Sequence, residues 1–397
     1  MKNKILDYIF GVFKKDPKEI ESLNGLRAFS ILIVLFFHLW ENNAHQFLEQ
    51  GLVTESSLNS ILSMIHFMDL FFLLSGLLIY AGLFRAYEKY STLNIKEFYL
   101  KRILRIYPAY YTVLMITFLF SIVIYNEMKA KSNLNEVEAF VLNRASVAIS
   151  NPWSDIFLYS NYNPNRVFEF GWSLSLEQHF YIILPFLCLF ALFKLPFQRR
   201  MLVLSVIYII PIFFRFYHYY YGPIGGIYYA THTRFDALFV GIITFEIFNK
   251  RYFQNWNGLH AFFLFLGAVV LFIIGVQIRK HPVLEHTLSY NLYHIVFILL
   301  TISAMIPASP VYKFFSSFLF RPISRLSYTI YLWHGILAIR FVRKGMDNLS
   351  WSGFFSIYVI VCLKIFISCW ILYLIIERPF HNLKVKIDKQ HPTPDKV

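Results

Sequence analysis

Long apolar runs separated by short polar connections constrain this chain more than any motif does. Ten stretches are long enough, or nearly so, to cross a bilayer: residues 25 to 42, 61 to 84, 104 to 126, 172 to 193, 202 to 221, 233 to 248, 259 to 278, 287 to 307, 323 to 341 and 353 to 376. The sixth is short and interrupted by charge, so nine or eleven spans also fit. With 57% hydrophobic residues and only 15% charged ones in 397, one soluble core could not bury this apolar surface. The expected fold is all-α: a polytopic membrane helix bundle of about ten transmembrane helices.

A formal net charge of +14 invites a nucleic-acid reading, which the placement of the charge opposes. Lys and Arg gather in alternate connections, among them the N-terminal segment, residues 85 to 105 and the C-terminal tail. That is the positive-inside bias, and it predicts that both termini are cytoplasmic. Three parts follow: an interfacial N-terminal segment (1–20), a membrane domain (21–382) and a polar tail (383–397). In the first, Ile5, Leu6, Ile9, Phe10 and Phe13 fall at helical spacing between lysines, as in a helix lying on the inner leaflet; a disordered basic tail fits as well. The long polar connection from about 127 to 171 contains NPWSDIFLYSNYNPNR. Its turn residues and aromatics predict a structured cap on the outer side; the alternative is a disordered loop, which Trp153, Phe157 and Tyr159 oppose. Cys188, Cys362 and Cys369 all lie in apolar spans and imply neither a disulfide nor a zinc framework.

Ionisable groups inside spans are costly to bury and mark sites. In LNGLRAFSILIVLFFHLW, Arg27 and His38 are eleven residues apart. Three helical turns, roughly 16 Å, then separate two side chains on one face. Arg27 joins Lys101, Arg102 and Arg105 of KRILRIYP in a cytoplasmic layer, where Arg102 and Arg105, at i and i+3, could grip phosphate oxygens. His38, Asp69, Glu177, Arg234 and Asp236 form an outer layer, with Trp172 at the interface. A histidine beside carboxylates is suited to general-base work. Asp69 could equally pair with Arg234 or cap a helix. No set of residues has metal-ligand spacing on one helix. A phosphate-gripping mouth and a base half a bilayer away suit a donor with a phosphate-rich head and a long thin arm, such as acyl-CoA.

The motifs GLRAFSILIVLFFH, DLFFLLSGLLI, the paired Arg102 and Arg105, WSLSLEQHFYIILP, RFDALFVG, SYTIYLWH and ERPF occur in this order from about residue 20 to 382. In that order they resemble the acyltransferase-3 family, integral-membrane acyltransferases that O-acylate bacterial surface sugars and other acceptors. Two departures stand out. Asn24 replaces the usual Asp before the glycine, and the chain ends shortly after ERPF, without the periplasmic hydrolase-like domain fused to some relatives. The resemblance implies a multi-pass protein of the bacterial inner membrane. It implies acetyl-CoA as donor, no metal, a cell-surface or lipid-linked glycan as acceptor and, as a further partner, a separate periplasmic transferase. On the same ground His38 would be the base, oriented by Glu177 or Asp69. Arg27, Arg102 and Arg105 would hold the CoA phosphates, and Arg234, Asp236 and Trp172 would shape the acceptor side. Tyr331 and His334 could bind substrate or only pack. Ser75 could carry an acyl intermediate, though its place beside a glycine also suits close helix approach. A transporter is the rival reading, since buried charges also serve ion and substrate pathways.

Overall fold

A computed structural model describes residues 2–17, 19–250, 252–253, 255–307, 309–342 and 350–383. From residue 384 onward the polar tail lies outside them. Among the described residues the regular structure is helical throughout.

The principal helices are α1 (Lys2–Phe10), α2 (Glu21–Glu41), α3 (Phe67–Tyr90), α4 (Ile95–Lys129), α5 (Glu136–Ser150), α6 (Gly171–Phe190), α7 (Phe197–Tyr221), α8 (Asp236–Asn249), α9 (Gly258–Ile278), α10 (Ser289–Met305), α11 (Phe320–Val342) and α12 (Trp351–Leu372). Among the described residues, seven helices are long and apolar enough to cross a membrane: Glu21–Glu41, Glu55–Tyr90, Ile95–Lys129, Gly171–Lys194, Phe197–Tyr221, Gly258–Ile278 and Trp351–Leu383. Of the other three expected spans, α8 has 14 residues and α10 has 17, below the usual spanning length. The third, α11, has 23 residues and begins with Arg321 and Arg325. These three pack in the interior, where burial by neighbours replaces contact with lipid.

A very close helix approach joins α3 to α8. A Cβ on Gly76 would stand 2.0 Å from the Leu238 carbonyl oxygen, and one on Gly241 would stand 2.1 Å from that of Leu73. Only glycine allows this interlock, which is the small-residue packing that membrane helices use.

The N-terminal segment is helical rather than a free tail, and it docks on the end of α12. Tyr8 donates to the Leu374 carbonyl at 2.7 Å, Trp370 Nε1 to that of Ile9 at 3.0 Å, and Arg325 to that of Gly11 at 2.7 Å. Ile5, Leu6, Phe10 and Phe13 stay exposed, as a helix on a bilayer surface requires. This end of the bundle is the proximal face. The opposite, distal face carries the connection between α4 and α6, which is ordered as expected. Its helix α5 opens on a capping box, with the Glu138 N–H donating to Asn135 Oδ1 at 2.9 Å and the Asn135 N–H to Glu138 Oε2 at 3.1 Å.

In the cap, Trp153, Phe157 and Tyr159 are exposed, whereas Ser154, Asp155, Ser160 and Asn161 are buried. The Asp155 carboxylate accepts the Val167 N–H at 2.9 Å and the Phe168 N–H at 3.4 Å, and its own carbonyl accepts Tyr110 Oη at 2.7 Å. The Asp155 carboxylate thus ties the cap to itself, and the hydroxyls of Tyr110 and Tyr111, bonded to the Asp155 and Ile156 carbonyls, fasten it to α4.

Candidate active site

Arg27 sits about two turns into α2, on the proximal side, with its guanidinium 5.8 Å from the Phe71 ring centre. Arg102 of α4 lies over Tyr181 at 5.4 Å and Phe98 at 5.5 Å. Arg105, one turn further, is exposed. Among the described residues, none of these three arginines makes a salt bridge to a carboxylate within 4 Å. Glu177 lies within electrostatic range of Arg27 and Arg102, and Glu377 of Arg105, without pairing with them.

Glu177 belongs with this group rather than with His38. It is within electrostatic range of Arg27 and Arg102, its Oε2 accepts Tyr181 Oη at 3.0 Å, and Ser75 lies beside it. The outer layer expected from the sequence is thus split by depth: α6 carries Glu177 inward, toward the arginines. Glu177 Oε1 is buried without a hydrogen-bond partner. It faces a tight gap lined by Met68, Phe71, Ser173, Leu174, Glu177, Tyr328 and Tyr331.

Tyr331 bonds Ser173 Oγ and donates to the Phe170 carbonyl at 3.1 Å. One turn distal, His334 Nδ1 donates to the Tyr331 carbonyl at 2.7 Å, which leaves Nε2 as a buried acceptor with no partner. Gly335 makes this possible, since a Cβ there would stand 2.3 Å from Cε2 of Phe170. Phe170 therefore packs on His334, with ring centres 4.3 Å apart, and His38 completes the group at 5.3 Å from His334 and 4.9 Å from Phe170. His38 Nδ1 faces Glu41 Oε2 at 3.2 Å. The carboxylate beside His38 is thus Glu41, not Glu177 or Asp69. Glu41 sits at i+3 on the same helix, a spacing legible in the sequence but hidden by its look of an ordinary surface acid.

Asp69 is engaged elsewhere. It is ion-paired to Arg234, with His66 Nδ1 at 3.4 Å from its other oxygen, and all three are buried. The Arg234 guanidinium lies between the rings of Tyr228 (4.8 Å) and Tyr290 (4.5 Å), with Trp172 at 6.0 Å. Asp236 accepts Arg215 Nη1 at 2.8 Å. The rest of that guanidinium donates to the Thr287 and Thr233 carbonyls and to Asn291, at 2.8, 2.6 and 2.6 Å. The structure thus brings Arg234, Asp236 and Asp69 into two buried ion pairs that tie α3, α7, α8 and α10 together. Only Trp172 of that expected acceptor set borders both regions.

Tyr328 and Glu377 were not singled out from the sequence as site residues. A π-helical turn at Tyr373–Glu377 lets Glu377 accept Thr329 Oγ1 at 2.5 Å, within electrostatic range of Arg105. Such turns recur at functional sites. Among the described residues, no group of three or more His, Cys, Asp or Glu side chains is gathered as for a metal ion.

A family model described as "Acyltransferase domain" matches residues 20–374. The chain belongs to the acyltransferase-3 family. Among curated proteins it is similar to "O-acetyltransferase OatA" of Staphylococcus aureus strain NCTC 8325 / PS 47, 26% identical over 336 residues that cover 80% of this chain and 50% of that one. It is also similar to a protein of strain COL named "Putative O-acetyltransferase SACOL0978", 24% identical over 396 residues, 96% of this chain and 60% of the other. The chain thus spans about half the length of the curated relatives it matches. No solved structure matches it. The membrane bundle is an acyltransferase domain, and the motifs that carried the resemblance lie inside the matched region, except ERPF at 377–380, which lies just beyond it.

Proposed function

We propose that this protein is a membrane O-acetyltransferase that takes an acetyl group from acetyl-CoA at the proximal, cytoplasmic face and passes it to a glycan hydroxyl at the distal face. One observation carries the reading. A single helix, α2, bears an arginine free of carboxylate partners near one end and a histidine–carboxylate pair at the other, with the space lined by Glu177, Tyr328 and Tyr331 between them. Arg27, Arg102 and Arg105 hold the donor's phosphates, guanidinium forks being matched to phosphate oxygens. The pantetheine arm runs along the interior space and brings the thioester toward His334 and His38.

His38 acts as general base. Its ring takes the proton of the acceptor hydroxyl, the alkoxide oxygen attacks the thioester carbonyl, the C–S bond breaks, and the proton passes from the imidazolium to the departing thiolate. Glu41 steadies the protonated ring. His334 Nε2, an unused lone pair beside His38, orders the mouth or shares the proton. The relatives' names support acetyl as the group transferred, the family supports a multi-pass membrane enzyme, and the gathering of Lys and Arg in alternate connections supports cytoplasmic termini.

Mass spectrometry of cell-surface glycans tests this in cells carrying the intact gene, a deletion, or His38→Gln at matched protein level. Loss of one acetyl mass in both altered strains is expected. Identical glycans in all three would refute the proposal.

A further inference from the structure

Arg166 closes the NPNR turn of the cap, where a loop arginine would ordinarily point to water. Only 5% of it is exposed. Its guanidinium lies 4.3 Å from the centre of the Tyr229 ring, and its Nε and Nη1 are buried with no hydrogen-bond partner. The neighbouring acids make their bonds elsewhere, although Asp155 stays within electrostatic range of Arg166. Asp155 accepts the Val167 and Phe168 amides, Glu169 pairs with Arg144, and Glu41 faces His38. A buried guanidinium whose N–H groups meet no acceptor is costly to keep, and a bound anion relieves that cost.

Its location says what the anion would belong to. Tyr229 is within electrostatic range of Arg166, Glu169 and Glu41 together, and its ring packs 5.3 Å from that of Trp172. Arg166 is also within range of Tyr331, whose carbonyl orients His334 beside His38. The orphaned donors are thus buried beneath the cap, on the same side of the bundle as His38 and His334. The half-buried Tyr229 ring, backed by Trp172, offers an apolar face against the C–H groups of a sugar.

We propose that Arg166 is the specificity-determining residue of the acceptor subsite, binding an oxyanion carried by the acceptor close to the hydroxyl that is acylated. This rests on the acyl-transfer reading above. The oxyanion is a sugar carboxylate or a phosphate, and Arg166 acts on the acceptor's position, not on the proton transfer.

The test is equilibrium binding to the full chain in detergent micelles, by saturation-transfer NMR, with three probes: a glucuronate-containing tetrasaccharide, its methyl ester and an oligo(glycerol phosphate). At least one charged probe is expected to bind ten-fold or more tighter than the neutral ester. That preference should vanish in Arg166→Gln and survive in part in Arg166→Lys, which keeps the charge but not the fork. Acetyl-CoA affinity should stay unchanged in both. Which charged probe binds separates a carboxylate from a phosphate source.

Equal binding of charged and esterified probes by the unaltered protein overturns the inference, even if Arg166→Gln fails to fold. So does a charge preference that Arg166→Gln leaves intact. An Arg166-dependent charge preference in a protein that transfers no acetyl group would keep the subsite and remove the acyl-transfer reading. Acetyl transfer without any charge preference would do the reverse.

Discussion

Two regions of this bundle bury charge, and they treat it in opposite ways. Around α3, α7 and α8, Asp69 and Asp236 are each bound by an arginine, and Arg215 directs its N–H groups to named oxygens. Around α2, α6 and α11, the arginines lack carboxylate partners, Glu177 Oε1 and His334 Nε2 are buried with no partner, and an internal space lies between them. A charge in a span signals importance in either case. Whether its partners are already in the fold separates a brace from a site.

The comparison predicts different failures. Asp69→Asn should cost the most, because it leaves Arg234 buried and uncompensated, a loss of about 3–5 kcal/mol. Membrane abundance should fall sharply, and the double variant Asp69→Leu with Arg234→Met should recover most of it. Abundance by blotting and thermal unfolding in detergent check this, and normal stability of Asp69→Asn would break the distinction between the two regions.

On the site side, His38→Gln should reduce acetyl transfer on the order of 10²- to 10⁴-fold with the unfolding midpoint unchanged. Arg102→Gln should raise the KM for acetyl-CoA by about ten-fold, the worth of a charge-assisted hydrogen bond, with kcat little altered. Steady-state kinetics on purified protein separate the two effects.

The smallest effect sharpens the comparison at the cap. Burial pushes the Asp155 carboxyl up to about 6, against the pull of the Val167 and Phe168 amides and Arg166. The unfolded chain releases that proton near the ordinary carboxylate value, about 4. Between these values the folded state holds a proton that the unfolded state has lost, so stability falls as pH rises through the window. Asp155→Asn should flatten that slope, a matter of a few degrees in unfolding midpoints recorded from about pH 4 to 7. An unchanged slope would remove Asp155 as its source.

What was legible in the sequence was what one helix determines. Arg27 and His38 lie on one face toward opposite ends of α2 because helical rise and turn are fixed, and the span pattern, the N-terminal helix and the ordered cap follow from local chemistry. Depth across helices was not legible. Trp172 read as an interfacial anchor, which placed Glu177 with His38, whereas α6 begins beneath the cap and carries Glu177 to the arginines. The exposure of Trp153 and Phe157 has the same origin: aromatic content suggests burial, but the hydrogen bonds of Asp155 decided which side faced inward. Arg166 was missed because a charge in a connection looks solvated until the tertiary structure covers it, and Glu41 because it is an exposed acid at the end of α2 whose pairing with His38 is a surface contact.

The most direct test of the central claim is acetyl-CoA binding and acetyl transfer measured together on purified Arg27→Gln and His38→Gln. The account predicts that Arg27→Gln loses donor affinity, while His38→Gln binds acetyl-CoA as the unaltered protein does and transfers almost nothing. Normal binding by Arg27→Gln, or normal transfer by His38→Gln, would contradict the assignment of donor grip and base to the two ends of α2.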